Sequence, residues 1–198
     1  MEHRITRRPV APHTDDDSEI VQQGEALFTE FVFNEIEREE VELRDEDFIR
    51  MRQNLPNPIW AQAGRDLRQM ADEFARTDGR RQVQQRALQV GVNVTKDAFT
   101  ALLTQLFAEG GVTAERIVVL FYFCSDIAIN ALRTGRQYFR QFFTWSLNFI
   151  ADSVCQWVRT HGGWGQVLRS QINSTYKACL WLGAATVLLA GCIYFKYM

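Results

Sequence analysis

From residue 18 onward the chain reads as helix after helix, separated by short polar or glycine breaks, and no segment shows a strand-like alternation. Ser18 is placed to cap a first helix with Ile20, Leu27, Phe28 and Phe31 on one side. The stretch EREEVELRDEDF that follows is all but continuous charge, as a solvated helix end or loop would be. Asn57 and Pro58 suit the cap and first position of a second helix, and Asp78-Gly79 its end. In AGRDLRQMADEF, residues 63–74, spacings of four, three and four set Leu67, Met70 and Phe74 at about 40°, −20° and 20° from Ala63. Small Ala71 stands beside this stripe and Asp72 lies on another side. An ordinary core-facing surface explains such a stripe, and so does a binding face.

A weaker helix is expected over roughly 80–90. Thr95 then caps a periodic one with Phe99, Leu102, Leu103, Leu106 and Phe107, stopped by Gly110-Gly111. The next segment, Ile117 to Leu132, is apolar almost all round, which places it at the centre of a bundle or in a membrane. Asp126 near its middle favours a soluble core in which that carboxylate is paired or exposed. After Gly135 a second long helix, QYFRQFFTWSLNFIADSVCQWV, forms a hairpin with it; Gly162-Gly163 breaks the chain again, and a short helix from Trp164 follows.

Composition adjusts this picture at three places. The net charge is −2, yet residues 15–47 hold 14 acidic residues against Arg38 and Arg44, whereas residues 112–198 hold three acidic against eight basic. A basic second half suits an anionic lipid surface, although solvation of helix faces explains it equally. Residues 1–17, with Pro9 and Pro12 and no apolar run, read as a disordered tail. Ala178 to Phe195 is 18 residues without a charge, long enough to reach about 27 Å. With Ala178, Leu180, Leu182, Val187, Leu188, Leu189 and Ile193 along it, residues 174–198 read as a transmembrane tail anchor, a buried core helix being the alternative. Cys124, Cys155, Cys179 and Cys192 have no paired short spacing, which indicates a reducing compartment and no metal site. His3, His13 and His161 have no nucleophile or carboxylate partner pattern, and no phosphate loop is present, so neither catalysis nor a cofactor is expected.

Three stretches in order now carry a resemblance. AGRDLRQMADEF resembles the BH3 motif of the Bcl-2 apoptosis regulators. AEGGVTAERIVVLFYF, residues 108–123, is similar to their BH1 region, and WVRTHGGW, opening a BH2-like region at 157–168, to BH2. Within that family the chain looks like the pro-death Bak/Bax-like effectors, in VLFYF, TWSLNFI, GEALFTEFVF and Met70 at the third anchor. One departure stands out: where the family reads Asn-Trp-Gly-Arg, this chain reads Thr113-Ala114-Glu115-Arg116.

The resemblance implies an all-α, Bcl-2-like bundle over residues 18–172 around the hydrophobic hairpin. It implies a groove that takes an amphipathic helix by its i, i+4, i+7, i+11 anchors. BH3 residues would be Ala63, Leu67, Met70, Ala71, Asp72 and Phe74. The groove and BH1-like set would be Thr113, Glu115, Arg116 and Phe121, and the BH2-like set Trp157, Gly162, Gly163 and Trp164. Arg116 would meet the Asp of an incoming BH3 helix, while Glu115 adds bulk and like charge where the family has glycine. Implied partners are BH3-containing family members, a second copy of the chain and the lipid of the mitochondrial outer membrane, with no nucleic acid. The implied activity is oligomerisation by BH3-in-groove exchange and membrane permeabilisation, in the outer membrane or from a cytosolic resting form. A guardian that sequesters BH3 helices, or a tail-anchored adaptor without pore activity, are the other readings.

Overall fold

A computed structural model describes residues 14–42, 46, 50, 61–108 and 110–172. The fold is all-helical: α1 Thr14–Arg38, α2 Ala61–Ala75, α3 Asp78–Ala87, α4 Lys96–Ala108, α5 Ala114–Leu132, α6 Arg136–Phe149, α7 Cys155–Thr160 and α8 Trp164–Ile172. α5 is the axis. Every residue from Ile117 to Ile129 is buried, and α1, α2, α3, α4, α6 and α8 all pack against it, which is what an all-round apolar helix requires. Its aromatic neighbours interlock: the Phe121 ring lies 5.1 Å edge-on from Phe28 and 5.6 Å from Phe31.

The helix ends follow the local chemistry. Thr113 Oγ1 accepts from Arg116 N at the start of α5, and Thr95 Oγ1 accepts from Ala98 N at the start of α4. Gly110, Gly111, Gly162 and Gly163 all have φ between +71° and +85°, where a side chain would be strained, so both glycine pairs end helices as expected. Gly135 separates α5 from α6.

Three expectations change. α1 begins at Thr14, four residues early; of the expected 1–17 tail, residues 1–13 lie outside the described residues. Asp78-Gly79 does not end α2: the break is at Arg76 and Thr77, whose Oγ1 donates to Phe74 O at 2.7 Å, and Asp78 instead opens α3 as its first-turn acid. The hairpin's second helix holds a π turn over Ile150–Val154 between α6 and α7. Asn57, Pro58 and the expected anchor at 174–198 lie outside the described residues; among those described, no helix is long and apolar enough to cross a membrane.

Candidate functional site

The stripe on α2 is turned fully inward. Ala63, Leu67, Met70, Ala71 and Phe74 are all buried, Phe74 completely, and α2 packs chiefly against α8 and α5. Phe74 meets the Tyr122 ring at 5.5 Å. Toward α1 the seat is looser: a cleft of about 210 Å³ opens there, lined among others by Leu27, Phe31, Gly64 and Leu67. Two ion pairs span it, Arg68–Glu30 at 3.1 Å and Arg38–Asp72 at 3.4 Å. All four side chains are about half exposed, so each pair contributes about 0–1 kcal/mol. A buried polar contact ties α2 to α5, the Tyr122 hydroxyl donating to Ala71 O at 3.1 Å.

Behind that contact lies a buried charge cluster. Arg80 of α3 donates to both oxygens of Asp126, at 2.7 and 2.8 Å, and stands 3.7 Å from Glu35 Oε2 of α1. Its guanidinium also stacks 4.3 Å from the Tyr122 ring centre. Arg38 bonds Glu35 at 3.1 Å and donates to the Tyr122 hydroxyl at 3.3 Å. Asp126 and Glu35 are 5% and 3% exposed. Burial pushes the Asp126 carboxyl up to about 7 against the opposing pull of Arg80, and raises Glu35 and Tyr122 as well. The cluster links α1, α2, α3 and α5. Of its members only Asp126 and Asp72 stand out in the sequence; Arg80 lies 46 residues from its partner, and nothing local marks it.

The remaining expected residues fall apart in space. Arg116 is turned back on its own loop, donating to Gly111 O at 2.7 Å, and its guanidinium lies against Gly110. Asp72 is therefore held by Arg38 within one copy. Glu115 is 5% exposed, beneath the surface. Phe121, expected at the groove, is fully buried in the core against α1, because a large aromatic on an all-apolar axis is drawn to the centre. Trp164 is fully buried with its indole N–H donating to Ile20 O at 3.0 Å, and Gly24 of α1 lets it close: a Cβ at Gly24 would stand 2.9 Å from the ring. Trp157 is half buried and stacks 4.0 Å from the exposed His161. The thiols of Cys124 and Cys155 are free, buried and pushed up to about 12, hence unreactive. Among the described residues no cluster of metal-ligating side chains occurs.

The chain is 29% identical to rat apoptosis regulator BAX over 103 residues, 52% of each chain, so it spans about half the length of the curated BAX relatives it matches. It is 25% identical to the zebrafish Bcl-2-related ovarian killer protein homolog B over 186 residues, 90% of this chain and 85% of that one. Among solved structures, chicken BOK superposes with a TM-score of 0.61 at 20% identity, over 78% of this chain and 98% of that chain. Human BOK gives 0.60 at 25%, over 78% and 99%. The stretch that matches the family of apoptosis regulators, residues 63–164, opens on the first anchor of α2 and closes on buried Trp164, enclosing the charge cluster's α3 and α5 and the axis itself: the chain belongs to the Bcl-2 family.

Proposed function

We propose that this chain is a pro-death, Bak/Bax-like regulator whose α2 leaves the closed bundle and enters the groove of a second copy, the assembly then permeabilising the mitochondrial outer membrane. The observation that carries the reading is the manner in which α2 is seated. Burial of Leu67, Met70 and Phe74 supplies about 1.5–3 kcal/mol each, whereas its ties to α1 are two half-exposed ion pairs across an open cleft. Apolar burial is transferable. Any groove of similar depth repays it, and the ion pairs add little to the cost of leaving.

On release Asp72 is freed from Arg38 and meets Arg116 of the receiving copy, which sets register more than affinity. Membership of the family implies interaction with other Bcl-2 family members, and the grooves of such members are the competing destinations for α2. Arg133, Arg136 and Arg140, at the turn of the α5–α6 hairpin and the start of α6, would face anionic lipid. Residues 178–195 would anchor the chain in that membrane. The pro-death sign is supported by the likeness to BAX and to a protein named a killer.

The test is dye release from liposomes of outer-membrane composition, with a BH3 peptide as trigger. Leu67→Glu abolishes release if α2 must re-enter an apolar slot; release at the wild-type rate excludes exchange as the mechanism.

A further inference from the structure

One member of α2 gains nothing from its burial. Asp66 is 4% exposed, between the anchors Ala63 and Leu67. Its Oδ1 accepts from the Gln62 amide at 2.6 Å, an amide held in place by Arg65, which donates to Gln62 Oε1 at 2.6 Å. Its Oδ2 is buried and, among the described residues, has no hydrogen-bond partner. At about 100° per residue, Asp66 stands about 60° from Ala63 on the Met70 side of the stripe, away from Gly64, Arg68 and Ala71, which face α1. Asp72 stands opposite the stripe and is half exposed, so the two acids of α2 play different parts.

A carboxylate removed from water with a donor on one oxygen only costs desolvation that the single bond from Gln62 does not fully repay. That cost exists only while α2 is seated, and it disappears when the helix reaches water. The four apolar anchors pull α2 in; Asp66 pulls it out.

We propose that Asp66 is a built-in release element, a buried carboxylate compensated on one oxygen only, that lowers the free energy needed to withdraw α2 from the bundle. It sets the threshold for opening without touching an incoming ligand. Its bearing on membrane activity rests on the exchange reading above, but the device itself does not.

Hydrogen exchange of residues 61–75 in the full-length chain, in buffer without lipid, tests it. Asp66→Asn keeps the shape and removes the charge; Asp66→Leu replaces the carboxylate with an apolar group. Both slow local opening of α2, with protection at least tenfold higher for Asp66→Leu, and both require more BH3 peptide for vesicle release. Should leucine not fit, the shape-conserving Asp66→Asn decides alone. Protection equal to or below that of the wild type in Asp66→Asn overturns the proposal and makes Asp66 a support of the closed form. Slower exchange with unchanged vesicle release leaves the release element standing and removes the exchange reading instead.

Discussion

Replacing Arg80 by alanine strands the buried Asp126 and leaves Glu35 with Arg38 alone. The guanidinium is 12% exposed and makes both of its short contacts, 2.7 and 2.8 Å, to Asp126, with Glu35 at 3.7 Å and the Tyr122 ring at 4.3 Å. Removing one partner of a buried ion pair costs about 3–5 kcal/mol, and loss of the ring contact adds about 1 kcal/mol. A domain of this size has about 5–15 kcal/mol in all, so the variant is marginal at neutral pH. Protonation offers an escape. Asp126 already sits near 7, and without Arg80 it moves higher, so acid neutralises the stranded charge and reduces the loss. Urea unfolding followed by far-UV circular dichroism, at pH 7.5 and at pH 5.5, measures this. The expected result is a loss of about 3–5 kcal/mol at pH 7.5 that shrinks by up to about 0.8 kcal/mol at pH 5.5, the wild-type carboxyl itself taking up its proton over that range. A loss below about 1 kcal/mol at pH 7.5, or an equal loss at both values, would refute the claim that this cluster holds α1 and α3 to α5.

Other consequences follow from the same contacts. In the wild type, Asp126 binds its proton more tightly folded than unfolded. Its contribution is therefore complete below its ordinary value of 3.8 and is lost as pH rises to about 7. Asp126→Asn removes this dependence, so wild type and variant differ in slope by up to about 1.4 kcal/mol per pH unit between those values; parallel curves would show that the carboxyl is ionised throughout. Gly24→Leu drives a side chain into the Trp164 ring and Cys155 Sγ, 2.9 and 3.0 Å from the Cβ position, and lowers stability by about 2 kcal/mol or more, read as a fall in Tm with dequenched or shifted Trp emission.

Much of the fold was legible because periodicity and glycine report local physics. The all-round apolarity of 117–132 placed α5 at the centre, and the two glycine pairs marked helix ends through backbone angles that other residues resist. The break after α2 was misplaced because Asp78-Gly79 looks like a turn, whereas the side chain of Thr77 makes it one residue sooner. The π turn left no signal: IADSV has the composition of any helix, and only the folded structure shows this segment packed against α1. Asp126 announced that it needed a partner, but which cation would answer is a matter of tertiary geometry, and Arg80 answers from another helix. Asp66 was hidden for the opposite reason, since an acid beside an amphipathic stripe normally reaches solvent.

The central claim is that α2 passes from its own bundle to the groove of a second copy. It is tested most directly by mixing Asp72→Cys chains with Arg116→Cys chains on liposomes, after changing all four native cysteines, Cys124, Cys155, Cys179 and Cys192, to alanine. On triggering with a BH3 peptide, the account predicts a disulfide joining one variant to the other, in step with dye release and absent before the trigger. Full release with no such cross-link at any time would contradict it.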